Sequence, residues 1–407
     1  ILSANSRLPG SLYGDLNGQI NALDLGLRRM TTLLAEYGDE TVSEALAELR
    51  NRAATLMAAN IAELPDGTYS AEDFLDNDGI VDMPLKIALD LSIKGDRMVL
   101  DFSRSAKACA GPVNIALSTA VASVYVAIKH VFTDVPANGG VLEPIETIIP
   151  DDSLLSVRAP KPVGGYTETI LRIIDVIFCA IAQVAPERVN GCAYGTINAL
   201  SLAGHRQNNS RWVMFSFFGG GHGGHPKGDG LNHGNAPIST ATIPPAEILE
   251  AAYPVMFTQW ALRPDSGGPG RNRGGLGAVY EIELLEETAN AFVFGERGKF
   301  GPPGVLGGGP GARNVFRYEQ DDGYYHPPQI SKMVGIKITR GQHLRLETPG
   351  GGGYGAANQR DPKAVARDVS LGYVTAAGAE TDYLVRLDAH GDPDIPATQR
   401  LRKAAQS

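Results

Sequence analysis

A glycine-rich stretch, FFGGGHGGHPKGDGLNH, carries the densest group of side chains that could perform chemistry. The imidazoles of His222, His225 and His233 and the carboxylate of Asp229 are ligand types that suit zinc and other divalent ions. Metal ligands, however, usually lie on elements that a second shell holds rigid, and a loop this rich in glycine is a weak frame. Three interpretations stay open: a metal site, a loop that faces a substrate or partner, and a turn without chemistry.

The same stretch contains the spacing of a dinucleotide-binding loop. Gly219, Gly221 and Gly224 spell G-x-G-x-x-G directly after the predicted strand RWVMFSFF. That fingerprint requires a helix to follow, because the helix N-terminus holds the pyrophosphate. The segment that follows holds two prolines and three more glycines, so the pattern excludes a helix there and with it the nucleotide interpretation.

A second polar group lies in LRPDSGGPGRNRGG, where Arg263, Asp265 and Ser266 are the candidates that face a substrate or partner. Its arginines could bind an anionic group or form ion pairs. Ser266 has no G-x-S-x-G elbow around it, so a turn is the simpler interpretation. The last candidate, Asn235, lies two residues after the glycine-histidine stretch. Catalytic residues stay unassigned.

An acidic segment, EDFLDNDGIVD, has part of the spacing of a calcium loop at Asp76, Asp78 and Gly79. A calcium loop also needs an acidic first ligand and a glutamate at its twelfth position. Those two places hold Phe74 and Leu85. The pattern therefore predicts a solvated turn.

The elements that must position these residues divide the chain into three predicted parts. Residues 1–64 form a helical hairpin, because apolar side chains recur every three or four residues from Leu16 to Leu34, Gly38 ends the first helix, and a second stripe follows. Residues 65–189 form a mixed α/β lobe. Residues 190–407 form a glycine-rich, β-dominated lobe that closes with a C-terminal helix. The fold class is mixed α/β (α+β).

Within these parts, LKIALDLSI and RMVLDFS predict a β-hairpin around Gly95. NIALSTAVASVYVAIKHVF and ETILRIIDVIFCAIAQVA predict buried helices, and ETIIP and LLSVRAP predict short strands. The final helix is expected in DPKAVARDVSLGY, with Asp361 as its N-cap and Pro362 in its first turn.

Composition limits the partners. Charged residues make up 20% of the chain and the net charge is −9, which argues against nucleic acid as the main partner. The longest apolar run is too short to cross a membrane. The three cysteines, with no CxxC, favour a reducing, cytoplasmic location.

The order of several segments resembles the hydantoinase B family, which includes N-methylhydantoinase B and 5-oxoprolinase β-type proteins. The segments are AELPDGTYSAEDFLDNDG, GPVNIALS, the glycine-histidine stretch, LRPDSGGPGRNRGGLG and TPGGGGYG followed by RDPKAVARDV. The resemblance covers essentially the whole chain. It implies a subunit of an ATP-dependent hydrolase of cyclic amides, in which a hydantoinase A-type ATPase partner uses ATP and Mg²⁺ to phosphorylate the substrate. Carboxylases of acetone or acetophenone are the first alternative, and a non-catalytic structural subunit is the second.

The family's metal-binding segments, which resemble NDPYxGGTHxPD and AHHxDxGG, do not occur in this chain. The resemblance therefore implies that a divalent metal such as Zn or Mn is held by another chain, an N-terminal hydantoinase B-type chain. No metal ligand is expected in this chain. The chain is expected to be part of a hetero-oligomer. The glycine-rich loops are expected to wall a substrate chamber or to meet partner subunits.

Overall fold

The computed structural model describes residues 1–6, 8–235, 237–239 and 244–405. The chain divides into two compact units: residues 1–59 with 135–144, and residues 60–134 with 145–407. The predicted three-part division at residues 64 and 189 stays a prediction. In the described residues, no helix is both long enough and apolar enough to cross a membrane.

Two long helices, α1 (Pro9–Tyr37) and α2 (Asp39–Ala62), open the chain. They confirm the two helices that the apolar stripes predicted. Only Gly38 separates them, with φ at +81°, a value that favours glycine. Every described residue of α1 is exposed or half-buried, including the side chains of its stripe. In the same unit, segment 135–144 lies against α2, where the side chain of Asn138 donates to the carbonyl of Leu49 over 3.1 Å.

A four-stranded sheet and two helices begin the second unit. The sheet runs in the order β1 (Gly67–Leu75), β2 (Leu85–Lys94), β3 (Arg97–Asp101) and β4 (Ile145–Ile148), and only the β3–β4 pair is parallel. The predicted hairpin is confirmed, with Lys94 opposite Arg97. Helices α3 (Leu117–Val131) and α4 (Tyr166–Ile181) pack together, and α4 also packs on β1 and β2. Helix α4 is buried over most of its circumference, as predicted. Helix α3 buries only one face, between Ala120 and Val131, and leaves Leu117 and His130 exposed, so the prediction of a fully buried helix was wrong there.

Two further sheets share one hydrophobic core. The first has the order β12 (Lys332–Thr339), β9 (Thr288–Phe294), β5 (Ala199–His205) and β6 (Arg211–Phe217). The second has the order β11 (Gly323–Tyr325), β10 (Val315–Gln320), β13 (His343–Glu347), β8 (Ala278–Leu284) and β7 (Val255–Leu262). Alternate residues of both sheets, among them Leu202, Met214, Tyr280 and Leu346, bury their side chains in that core. A short helix, α5 (Ala246–Ala252), precedes β7.

The C-terminal region holds three helices: α6 (Pro362–Ser370), α7 (Ala376–Thr381) and α8 (Ile395–Ala404). The predicted cap of α6 is confirmed, since the Asp361 carboxylate accepts from the backbone N–H of Lys363 over 3.0 Å. The prediction that this helix is the last one was wrong. Helices α7 and α8 begin at the side-chain caps Thr375 and Asp394, and each buries too few apolar residues to give a clear stripe.

The predicted strand in LLSVRAP was also wrong. Residues 153–157 form a turn in which Leu154, Leu155 and Val157 are nevertheless buried. The Ser153 hydroxyl accepts from the backbone N–H of Leu155 over 3.2 Å. This N–H group therefore has a hydrogen-bond partner within the turn and does not need one on a neighbouring strand.

Candidate functional site

The glycine-histidine stretch lies inside a bundle of extended glycine-rich segments, and this glycine bundle is built by backbone hydrogen bonds. Gly224 donates to the carbonyl of Gly352 over 2.9 Å, and Gly275 donates to the carbonyl of His222 over 2.7 Å. Segments 191–192, 219–224, 266–277, 301–311 and 350–353 are connected in this way. The predicted loop is therefore part of an ordered layer whose polar groups are paired backbone atoms.

Close approach of these segments explains the glycine content. A Cβ at Gly223 would lie 1.7 Å from the carbonyl oxygen of Gly191, and one at Gly221 would lie 1.8 Å from that of Gly275. The atoms in the way belong to the backbone, so no rotation of a side chain could make room. The bundle thus requires residues without a Cβ at its contact points.

His222 and Asn235 contact one another within this bundle. The Nε2 atom of His222 lies 2.6 Å from the backbone carbonyl of Asn235. Burial lowers the pKa of His222, although that hydrogen bond opposes the shift. The hydroxyl of Tyr194 donates to the side-chain oxygen of Asn235 over 3.5 Å. Both residues are therefore engaged with the chain's own atoms.

His233 lies against two aromatic side chains. Its Nε2 atom is hydrogen-bonded to the hydroxyl of Tyr280 and accepts from the indole N–H of Trp260 over 3.1 Å. Its backbone has φ at +50° and donates to the carbonyl of Leu276 over 2.8 Å. Burial lowers the pKa of His233, so the neutral ring is favoured in this aromatic contact.

Asp229 forms a two-pronged ion pair with Arg360, with both nitrogen–oxygen distances at 2.6 Å. Its carboxylate also accepts from the backbone N–H of Arg273 over 2.6 Å. Burial raises the pKa of Asp229, but the hydrogen bonds and charge of Arg360 together with those of Arg273 outweigh burial, and the net shift is downward. Arg360 also bonds Asp368 over 2.7 Å, so Asp229 joins the glycine bundle to α6 as a charged carboxylate.

His225 makes a tight turn at the edge of the bundle. Its backbone pairs with Gly228, and its carbonyl accepts from the side chain of Asn272 over 2.6 Å. The ring Nδ1 accepts weakly from the backbone N–H of Lys227, over 3.3 Å. Of the three histidines in the stretch, His225 is the one whose ring makes the weakest contacts described.

The second candidate group serves the fold by its contacts. Arg263 donates to the backbone carbonyl of Arg313 over 2.7 Å and pairs with Glu347 over 3.6 Å. Asp265 accepts from the backbone N–H of Thr375 over 2.8 Å. Ser266 is fully buried, and its hydroxyl donates to the carbonyl of Arg263 over 2.5 Å. These contacts hold the start of α7 and the end of β7.

The arrangement of the candidate ligands does not fit a metal ion. Among the described residues, no group of three or more His, Cys, Asp or Glu side chains lies close enough to hold one. The Nε2 atoms of His222 and His233 are committed to different partners, and Asp229 is committed to Arg360.

A buried network of charges, which the sequence did not reveal, lies beside the bundle. Arg297 donates to Asp175 over 2.6 Å and to Asp73 over 2.7 Å, and Arg172 also pairs with both carboxylates. Both guanidinium groups are fully buried. Two positive and two negative side chains balance, which makes their burial tolerable. Burial nevertheless raises the pKa of Asp73 and raises that of Asp175 to about 7, while Arg172 opposes both shifts.

This network corrects the interpretation of the acidic segment as a solvated turn. Asp73, Asp76 and Asp78 are buried. Asp76 accepts from the backbone N–H groups of Gly298 and Lys299 over 2.6 and 2.8 Å. The partners lie more than 200 residues away in sequence, so a local pattern could not reveal them. On α4 a signal did exist, because Glu168, Arg172 and Asp175 recur at helical spacing on one face.

Two glutamates near this network have strongly shifted pKa values. Burial raises the pKa of Glu168 to about 7, although its carboxylate accepts from the backbone N–H of Ile197 over 3.0 Å. Burial raises the pKa of Glu296 to about 8, even though Lys332 lies 2.5 Å away. Groups poised near neutrality are typical of functional sites, although structural networks produce them too.

A cavity of about 430 Å³ opens beside Glu168. Four phenylalanines line it, Phe215, Phe217, Phe292 and Phe294, and the last two stack with ring centres 6.2 Å apart. The size and the mostly apolar walls of this cavity are typical of a site for a small, largely apolar group.

The sequence of this chain matches the family model described as hydantoinase B/oxoprolinase over residues 1–357. The chain belongs to this family. It is 31% identical to an uncharacterised protein of Methanocaldococcus jannaschii, over 99% of this chain and 70% of that protein. It is 28% identical to the B-type subunit of a putative D-/L-hydantoinase from Pseudomonas sp. strain NS671, again over 99% and 70%.

Two solved structures share the fold of this hydantoinase B family member. The ATP-dependent caprolactamase of Pseudomonas jessenii superimposes with a TM-score of 0.88 at 28% identity, over 98% of this chain and 70% of that one. A nucleotide-free acetone carboxylase superimposes with a TM-score of 0.82 at 20% identity, over 93% and 57%. The second likeness shows the fold alone. Both agree with the mixed α/β architecture predicted from the sequence.

Proposed function

We propose that this chain is a component of an ATP-dependent hydrolase of cyclic amides. The observation that carries the proposal is the likeness to the ATP-dependent caprolactamase, which extends over 98% of the chain. A relative named as a component of a hydantoinase supports the same class, since hydantoins and lactams are both cyclic amides.

The chemistry explains why such an enzyme needs ATP. An amide carbonyl is a poor electrophile, and transfer of phosphate to its oxygen converts that oxygen into a better leaving group. Water then attacks the ring carbon, and the site must keep bulk water from the activated species. This chain would act at the second stage, on substrate that a partner has phosphorylated.

The proposed partner is a hydantoinase A-type ATPase, which would bind ATP and Mg²⁺. Relatives named as subunits support a hetero-oligomer. The proposal adds an N-terminal hydantoinase B-type chain that would hold the divalent metal, such as Zn or Mn. It places the assembly in the cytoplasm, where ATP is available.

Within this chain, the aromatic cavity beside Glu168 is the proposed place for the apolar part of a ring. Its volume of about 430 Å³ is sufficient for a small cyclic amide. The candidates His222, His225, Asp229, His233, Asn235, Arg263, Asp265 and Ser266 would wall the chamber or meet partners. His225 is favoured among them for direct contact, because its ring makes the weakest internal contacts described.

The test is copurification of this chain with its candidate partners, followed by measurement of ADP and ring-opened product with a panel of lactams, hydantoins and 5-oxoproline. We expect ATP cleavage that depends on one of these amides and matches product formation. ATP cleavage that proceeds at the same rate without any cyclic amide would contradict the proposal. Assembly without this chain provides the control for activity of the partner alone.

A carboxylase is the first alternative, because the acetone carboxylase structure shares the fold. The same assembly would then incorporate labelled bicarbonate into acetone or acetophenone. Absence of label from the product under conditions that support ATP cleavage would exclude this alternative.

A structural, non-catalytic subunit is the second alternative, and one observation favours it. His222, His233, Asp229 and Ser266 all bond atoms of the chain itself. If the chain only supports the assembly, His225→Ala leaves turnover per assembled complex unchanged. If His225 faces the reacting group, turnover falls while the complex stays intact by size-exclusion chromatography.

A further inference from the structure

Two cysteines from different parts of the fold meet between α4 and the glycine bundle. Cys179 lies in the last turn of α4, and Cys192 lies in the extended segment that enters the bundle. Their sulfur atoms are 3.8 Å apart, which is van der Waals contact. A disulfide bond requires about 2.05 Å between the sulfurs, so its formation would bring these two atoms closer by a further ~1.8 Å.

The surroundings of the two sulfurs differ. Cys192 is fully buried, and its backbone is fixed on both sides, since its N–H donates to Pro303 over 2.9 Å and its carbonyl accepts from Gly352 over 2.8 Å. Cys179 is half-buried and is therefore the more accessible of the two cysteines. The contact with Cys179 and burial raise the pKa of Cys192, which keeps that sulfur protonated and slow to react first.

We propose that Cys179 and Cys192 form an oxidation site, in which a peroxide converts the pair to a disulfide that ties α4 to the glycine bundle. The peroxide first oxidises the Cys179 thiol to a sulfenic acid and is itself reduced to water or an alcohol. The Cys192 sulfur then attacks the sulfenic sulfur, the S–S bond forms, and the hydroxyl leaves as water with the Cys192 proton. Reduction by a dithiol reverses the reaction.

The location gives this bond a structural consequence. Helix α4 carries Arg172 and Asp175 of the buried charge network. Cys192 belongs to the glycine bundle, where its carbonyl accepts from the backbone N–H of Gly352. A disulfide would therefore fix the charge network relative to the bundle. The inference stands on the contact of the sulfurs and does not depend on the proposed function.

The chain is well suited to a direct test. Trypsin cuts after Arg172, Arg188 and Arg206, which places Cys179 in peptide 173–188 and Cys192 in peptide 189–206. Cys109 falls in peptide 108–129 and provides an internal control. The full chain is treated with hydrogen peroxide, alkylated while folded and then unfolded, and digested without reductant.

We expect peptides 173–188 and 189–206 to appear as one cross-linked species that dithiothreitol separates. C179S and C192S should each abolish this species, whereas C109S should leave it unchanged. The wild-type thermal midpoint should rise on oxidation and return on reduction, and the midpoint of C179S should not respond.

Two results would overturn the inference. The first is a sulfinic acid on Cys179 with Cys192 still alkylated as a free thiol after complete reaction. The second is a cross-link that involves Cys109 or joins two copies of the chain. The wild-type peptide map reports either result, so the test holds even if one serine variant fails to fold.

Discussion

Replacement of Gly351 by alanine tests whether the glycine bundle depends on direct backbone contact. A Cβ built on Gly351 lies 2.0 Å from the carbonyl oxygen of His222 and 2.2 Å from its carbonyl carbon. Both are backbone atoms, so the added methyl group can be accommodated only if the two segments separate. A separation of about 1 Å would lengthen the adjoining hydrogen bonds past the usual limit of about 3.2 Å.

The magnitude follows from the bonds that such a separation breaks. Gly351 donates to the carbonyl of Gly275 over 2.9 Å, and its own carbonyl accepts from Gly268 over 2.8 Å. Loss of two buried hydrogen bonds costs about 1 kcal/mol each, and an overpacked interior costs about 1–3 kcal/mol more. We expect Gly351→Ala to lower the free energy of unfolding by about 3–5 kcal/mol, a large part of the total for an ordinary domain.

The assay is equilibrium unfolding in urea, followed by circular dichroism, with Gly164→Ala as the matched control. A Cβ on Gly164 meets nothing within 4 Å, and its φ lies outside the left-handed region. We expect the control to change the free energy of unfolding by less than about 1 kcal/mol. Equal destabilisation by the two variants, or none by Gly351→Ala, would refute the packing argument.

Three further predictions concern ionisable groups. Arg360→Met removes the ion pairs of Arg360 with Asp229 and Asp368 and should lower the free energy of unfolding in urea by about 1–3 kcal/mol, because Asp229 is partly exposed and keeps its hydrogen bond from Arg273. Addition of Asp229→Asn should recover part of that loss. Burial raises the pKa of Glu168 to about 7, so the folded state binds this proton more tightly than the unfolded state, and Glu168 lowers the free energy of unfolding as the pH rises from about 4.5 to about 7. The free energy of unfolding of Glu168→Gln should therefore gain about 3 kcal/mol relative to wild type across that pH range. A difference between the two proteins that does not change with pH would contradict the shift. Because burial lowers the pKa of His233, protonation of the unfolded state should reduce stability as the pH falls below about 6.5, and thermal midpoints of His233→Gln should show a smaller decline there.

The sequence predicted the elements whose signal is local. Spacings of three and four between Leu16 and Leu34 predicted α1, and the pair of β-rich runs around Gly95 predicted the β2–β3 hairpin. It did not predict α7 and α8, whose short lengths bury few apolar residues. It also placed a strand at Leu154, because an apolar run in a buried turn has the same composition as a short strand.

The candidate site was less accessible to sequence reasoning, because its contacts join distant segments. The pair between Asp73 and Arg297 spans 224 residues, so the acidic segment gave no local sign that it is buried. The glycine-rich segments were expected to wall a chamber or to meet partner subunits, and the sequence did not show that they pair with one another. His222 and His233 were grouped by their proximity in sequence, whereas in the structure their ring nitrogens bond different partners.

Side chains in the glycine-rich region that bond to the chain's own atoms affect how activity data on their variants must be interpreted. His233 supports Trp260 and Tyr280 of the sandwich core, and Asp229 joins the bundle to α6 through Arg360. Their removal therefore lowers turnover through the folded fraction even if neither contacts a substrate. A loss of activity assigns a catalytic role only where the free energy of unfolding is unchanged. By that criterion His225, whose ring is least engaged, is the most informative histidine to replace.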